Sequence, residues 1–246
     1  MKSFEIITIF LTGGSLLSLF FYRSRRPFLY LLFLASIAAI VQYLADGLRW
    51  QMLAAIYILP AMFISYKYKA VNRFTGTILG VWFLISSFIP WAVPVFTMPA
   101  PGGDFHIGSE TFHWVDSSRL EWFTDENDKD VREIMVQAWY PSDSSSSTDP
   151  NPYMDFMKLR SKTLASAGKI PAFLPSHLDM IITNTRNDAD CSEKLAKYPV
   201  FIFSHGITGS RHLHQILFER LASRGYVVFA PDHSFDANLT IFPDGK

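Results

Sequence analysis

The sequence has a single cysteine, Cys191, in 246 residues. One thiol closes no internal disulfide and leaves no second sulfur for a thiolate metal site, so it reads as an ordinary free thiol in a loop. Net charge is missing as well: 22 basic side chains offset 22 acidic ones, and 18% of residues are charged. With no net positive charge, no nucleic-acid partner is expected. The neutrality is an average over two unlike polymers joined near residue 97. Residues 1–97 carry eight basic and two acidic side chains, whereas the remainder carries 14 and 20. The two parts need separate readings.

Charge is scarcest in four runs. Residues 6–22, 27–45 and 50–66 contain none, and from 74–96 onward none occurs until Asp104. About 20 apolar residues cross the hydrocarbon core, with a range of roughly 17–25. Inside lipid every backbone N–H and C=O must be satisfied within its own segment, which predicts helices. Residues 1–97 are therefore expected to form a transmembrane region of about four helices, with the lipid bilayer as partner. The first run lacks a strongly basic start and a convincing small-residue cleavage site, and three more runs follow it, so it is expected to be retained rather than removed as a signal peptide. The third run is short and contains Pro60, and a re-entrant hairpin is its alternative. Arg23, Arg25 and Arg26 precede the second run; Lys67, Lys69 and Arg73 follow the third. Positive loops stay inside. The expected location is thus the cell membrane, multi-pass, with the C-terminal part extracytoplasmic.

Residues 98–110, opening Met98-Pro99-Ala100-Pro101-Gly102-Gly103, read as a stiff-then-flexible linker. In 111–246, strands are predicted at 111–115 and 133–140, the latter apolar on both faces as in a covered sheet. Between them lies a polar turn at 125–130, and an exposed serine-rich loop is expected at 142–148. Residues 153–182 have helical spacing broken at Pro171 and Pro175, fitting cover for a sheet edge or, alternatively, a lid or membrane-touching helix.

The clearest unit spans 198–231. An apolar strand at 199–203 leads into Ser204-His205-Gly206-Ile207-Thr208-Gly209-Ser210, then a helix over about 211–224 with Leu213, Ile216, Leu217 and Leu221 on one face. Gly225 stands where a left-handed residue closes a helix, and 226–230 is a second apolar strand. This is a β-α-β unit, whose chemistry lies at the carboxyl ends of its strands.

Tyr-Pro-Val-Phe-Ile-Phe-Ser-His-Gly at 198–206, Leu-Ala-Ser-Arg-Gly-Tyr-Val-Val at 221–228, Asp-His at 232–233, Phe-Pro-Asp-Gly at 242–245 and Val-Gln-Ala-Trp-Tyr-Pro at 136–141 together resemble an α/β-hydrolase. The similarity is to the platelet-activating-factor acetylhydrolase family (plasma and type II forms) and its bacterial relatives. It implies the N-terminal half of an α/β-hydrolase with a mostly parallel sheet. It also implies hydrolysis of carboxylic esters, of a lipid or a short acyl chain, by a serine triad without metal or organic cofactor. His205 and Gly206 would shape the oxyanion loop, and the Ile207 backbone N–H would be one of its donors.

The pattern breaks at the nucleophile. This fold carries its serine in Gly-x-Ser-x-Gly on the next strand-turn-helix, followed by the acid and the histidine. No such motif occurs in these 246 residues. Nucleophile, acid and base are expected to be absent and the chain incomplete and inactive alone, with 226–230 as an unpartnered apolar edge. Ser204 and His205, adjacent on a strand end, point to opposite sides and cannot pair. His212 and His214, two apart, share no helical face for a metal. Asp232 and His233 read as a pocket rim. The alternative is a non-enzymatic multi-pass membrane protein with a degenerate hydrolase half-domain.

Overall fold

The computed structural model describes residues 2–21, 25–124, 129–143 and 150–245. The chain divides into two compact units, Met1–Val95 and Phe96–Lys246.

Among the described residues the first unit contains four helices: α1 Ser3–Phe21, α2 Arg26–Asp46, α3 Trp50–Lys67 and α4 Arg73–Ala92. Asn72 caps α4, accepting the Thr75 N–H at 3.0 Å. By length and composition α1, α2 and α4 are long and apolar enough to cross a membrane. The third run is the helix α3, with Pro60 inside it, and falls outside that set. An apolar core of Leu19, Phe28, Ile58 and Met62 is fully buried, yet large apolar side chains also cover the outside. Glu5, Thr8, Thr12, Ser15 and Ser18 of α1 are buried, whereas Phe10, Phe21, Leu44 and Phe74 are each at least three-quarters exposed. The buried threonines fold their hydroxyls back onto carbonyls one turn earlier, Thr8 on Phe4 at 2.9 Å and Thr12 on Thr8 at 2.7 Å. Glu5 is paired with Arg49, whose Nη2 donates to Oε2 at 2.5 Å. The basic loop expected around Arg23 lies partly outside the described residues.

The second unit is built on a six-stranded sheet: β1 His106–Leu120, β2 Val131–Ser142, β3 Pro150–Pro152, β4 Ile182–Asn187, β5 Val200–Ile202 and β6 Val227–Asp232. Their order is β3-β4-β1-β2-β6-β5. The expected mostly parallel sheet is corrected to a mixed one. Pairs β1·β2, β2·β6 and β3·β4 are antiparallel, and only β1·β4 and β5·β6 are parallel. The physical reason is local. β1 and β2 are joined by a short connection and close as a hairpin, which enforces antiparallel pairing. The linker is corrected too. Residues 106–110 already belong to β1, and the Pro-Gly stretch before them is docked rather than free. Asn184 Nδ2 donates to the Pro99 carbonyl at 3.1 Å, Arg224 Nη1 to the Pro101 carbonyl at 3.0 Å, and Met98 is buried. Most of the turn expected at 125–130 and of the loop at 142–148 lies outside the described residues.

β2 is buried continuously from Met135 to Ser142, as its two-sided apolarity predicts. Trp139 at its centre is fully buried against Phe218 of helix α6, Gln215–Ala222, with ring centroids 4.9 Å apart. Ile107, Ala222, Val228 and Ala230 complete this core. At this end of the sheet the edge strand is β5, not 226–230: β6 lies between β2 and β5, so its apolar side is shared. Residues 153–182 resolve into α5 Met157–Gly168 and a 3₁₀ helix Leu174–Met180. α6 begins four residues later than the pattern suggested, after a turn at 211–214, and Gly225 ends the segment at φ +91°. Phe218→Ala empties the center of the core and should cost about 3–5 kcal/mol; a loss under 1 kcal/mol in denaturant unfolding would contradict this packing.

Candidate active site

Because β5 and β6 are parallel neighbours, their carboxyl ends bring two loops to one sheet edge. Ser204 and His205 follow β5; Asp232 ends β6 and His233 follows it. Ser204 Oγ lies 2.7 Å from His233 Nε2. His205 is buried, and its Nε2 accepts the His233 backbone N–H at 3.0 Å. With Nε2 accepting, the ring proton is on Nδ1, which donates to the Gly206 carbonyl at 2.8 Å.

Past His205 the chain turns tightly. The Gly209 N–H donates to the Gly206 carbonyl at 2.9 Å. A Cβ on Gly209 would stand 2.8 Å from that oxygen and 2.9 Å from the His205 Cβ, so only glycine fits. Two backbone bonds fasten the turn to the segment after β6: Thr208 N–H to the Asp236 carbonyl at 2.9 Å, and Asn238 N–H to the Gly209 carbonyl at 2.8 Å. Ile207 at the tip is 82% exposed, and a Cβ on Gly206 would meet nothing within 4 Å. Among the described residues, neither the Gly206 nor the Ile207 N–H donates a hydrogen bond. Two unspent donors at an open loop tip can receive a developing negative oxygen.

His205, Gly206 and Ile207 thus come together as one loop. Ser204 does not pair with His205, but it does pair with His233, a contact that sequence reasoning missed. Its only signal was the adjacency of the two strand ends. Asp232 is corrected from the pocket rim to the interior, being fully buried. Its Oδ1 accepts the Arg211 N–H at 2.7 Å and its Oδ2 pairs with the Arg211 guanidinium. That guanidinium also pairs with Asp155, to which Arg160 Nη2 donates at 2.6 Å. Arg160 Nη1 donates to the Leu239 carbonyl at 3.0 Å, and Thr163 Oγ1 to Asn238 Oδ1 at 2.6 Å. α5 therefore holds the segment beneath the turn.

His212 and His214 stand apart. His212 Nε2 is 3.7 Å from Asp155 Oδ1, and the His214 ring lies 4.8 Å from that of Phe203. Among the described residues, no group of three His, Cys, Asp or Glu side chains is placed to hold a metal. Burial, then Arg211 and Arg160, hold His212 well below the ordinary histidine value. Burial, then His205, lower His233. Cys191 is an exposed free thiol whose pKa is raised by its partial burial.

Residues 94–242 match the family described as platelet-activating factor acetylhydrolase, isoform II. The chain belongs to that family. Among acetylhydrolase-like relatives it is 26% identical, over 144 residues, to a Schizosaccharomyces pombe (strain 972 / ATCC 24843) protein named "Putative phospholipase A2". That match covers 55% of this chain and 32% of the relative. A ferulic acid esterase from Streptomyces cinnamoneus is 32% identical with a TM-score of 0.47, over 62% of this chain and 40% of the esterase. The chain spans about a third of the first protein and two fifths of the second.

The depressed His212 sets a pH dependence. A histidine lowered on folding binds fewer protons than in the unfolded chain, so its contribution is complete above 6.5 and is lost as pH falls below it. Denaturant unfolding should show lower stability at pH 5.5 than at 7.5, with a smaller difference in His212→Asn; equal differences would remove His212 as a cause.

Proposed function

We propose that the chain is a membrane-tethered member of the acetylhydrolase family that serves serine-type hydrolysis of a carboxylic ester, a lipid or short acyl ester. The observation that carries this is the 205–207 loop at the carboxyl ends of β5 and β6, fixed by His205 and ending in two unused N–H donors. In ester hydrolysis the carbonyl oxygen gains negative charge as the tetrahedral intermediate forms. Donors already in place stabilise it without reorganising, and losing one typically costs about 2.7–4 kcal/mol. Family membership supports a lipase- or esterase-type reaction.

The Ser204–His233 contact favours a second reading, in which Ser204 is itself the nucleophile. Burial keeps His233 toward the neutral form that a base needs. Yet among the described residues no carboxylate is hydrogen-bonded to the His233 ring, and a triad needs that third group. Residues 1–246 should therefore turn over p-nitrophenyl esters no faster than background. Addition of a family segment bearing Gly-x-Ser-x-Gly, fused or in trans, should restore turnover. In that complex Ile207→Pro, which deletes the donor, should lower kcat by 10²–10³-fold. Turnover by 1–246 alone that Ser204→Ala abolishes would replace this reading with the second.

Two features support the tether: helices of spanning length and large apolar side chains exposed along them in the first unit. Loop charge supports an extracytoplasmic second unit. Alkaline phosphatase fused after residue 110 should be active in a bacterial host; activity of a cytoplasm-only reporter there would reverse the orientation.

A further inference from the structure

We infer that the first unit binds an anionic phospholipid, its phosphate held by Arg25, Lys67 and Lys69 and an acyl chain lying in the groove between α2 and α3. The inference rests on the proposed bilayer setting of these helices.

Two separate cavities carry it. The first is an open groove of about 750 Å³ lined by Leu29, Phe33 and Ile40 of α2 and Ile56, Leu59 and Phe63 of α3, among others. It extends along α2 from Leu29 to Tyr43, about 21 Å at 1.5 Å per residue, which exceeds the roughly 15 Å of one leaflet. Leu59 forms a buried wall, while Phe33, Ile40 and Phe63 are exposed around it. Such a surface suits a hydrocarbon chain.

The second cavity, about 490 Å³, is lined by Arg25, Tyr66, Lys67, Lys69 and Val71. It adjoins one end of the groove. Leu29 donates its N–H to the Arg25 carbonyl at 3.2 Å, so Arg25 is one turn beyond the last groove residue of α2. Lys67 is likewise one turn beyond Phe63 on α3. The Phe28 and Tyr66 rings, 5.3 Å apart, tie the two helices together there. The Arg25 guanidinium donates to the Leu19 carbonyl, which fixes a positive charge at the pocket. Among the described residues no carboxylate pairs with Arg25, Lys67 or Lys69. Three cations without a counter-charge at the mouth of an apolar groove match a phosphate joined to an acyl chain. A zwitterionic headgroup would bring its own cation into the same pocket. Loop charge places this end at the cytoplasmic leaflet, where anionic lipid attracts basic segments.

The test uses the full chain in phosphatidylcholine nanodiscs, titrated with fluorescent phosphatidylglycerol. Integration is scored separately by resistance to alkaline extraction. Failure to integrate overturns the bilayer setting, whereas integration without headgroup preference overturns only this inference. Preferential, saturable binding of phosphatidylglycerol is expected. Lys67→Gln with Lys69→Asn should weaken it roughly thirty-fold; asparagine suits position 69, where φ is +54°. Ile56→Trp, which fills the groove and leaves charge unchanged, should weaken it as well, with helicity preserved in both variants. Unaltered binding in either variant, competition by soluble glycerol phosphate, or groove-to-groove crosslinking of two copies would each overturn the lipid site.

Discussion

Four buried or half-buried charges, Asp155, Arg160, Arg211 and Asp232, run as one chain through the second unit, and the loop at the sheet edge depends on them. Asp232 holds both the backbone and the guanidinium of Arg211, the residue that starts the turn into α6. Asp155 joins Arg211 to Arg160, and Arg160 reaches the Leu239 carbonyl. The segment after β6 is thereby held against α5, and that segment in turn holds Thr208 and Gly209. Such a chain contributes little net stability, because burying each ion costs nearly what the pairing returns. Its effect is on geometry: removing one member leaves the others buried and unpaired, at about 3–5 kcal/mol. The two cations and two carboxylates balance only while His212, packed beside them, stays uncharged. Arg211 and Arg160 add to burial in lowering its pKa.

The strongest sequence signals were local ones. Apolar strands at 199–203 and 226–230, the small-residue turn between strand and helix, and Gly225 located β5, α6 and β6 to within a few residues. The same signals brought His205, Gly206 and Ile207 into one loop. Other features were set by contacts that no spacing encodes. Ser204 meets His233 because two strands whose paired residues are 27 apart in sequence lie side by side. Asp232 ends a strand in a rim-like position, yet Arg211 draws it inward. The Pro-Gly stretch at 98–103 has linker composition, but its prolines leave carbonyls free to accept from Asn184 and Arg224. The parallel order of β5 and β6 did not extend to the sheet, since β1 and β2 close as a hairpin.

In the first unit the sequence told charge apart from polarity. Uncharged runs marked the helices, but the buried face of α1 carries Thr8, Thr12, Ser15 and Ser18. Thr8, Thr12 and Ser18 turn their hydroxyls onto carbonyls three or four residues earlier, whereas the buried Ser15 hydroxyl has no hydrogen-bond partner among the described residues. Leu19 and Phe28 are fully buried, while Phe10, Phe21, Leu44 and Phe74 are left outside, an exterior suited to a solvent of hydrocarbon. Glu5 and Arg49 form the buried ion pair of this interior. The pair joins α1 to the residue that precedes α3.

A serine 2.7 Å from a histidine nitrogen has the geometry of an activated nucleophile, and the surroundings decide against that role here. In a triad one imidazole nitrogen takes the serine proton while a carboxylate on the other orients the ring and offsets the charge it gains. His233 has the first contact and not the second. Burial and then the imidazole of His205, 4.6 Å away between ring centres, oppose its protonation, while Asp236 and Asp232 favour it. A base held at a lowered pKa is a weaker proton acceptor in general-base work. Both histidines instead bond across the two strand ends, Ser204 to the His233 ring and the His233 backbone to the His205 ring. The only group His205 has left to use is Nδ1–H, and it is committed to the Gly206 carbonyl. The N–H groups of Gly206 and Ile207 remain unspent, so the polar contacts of this edge converge on presenting a pair of donors rather than on activating a serine.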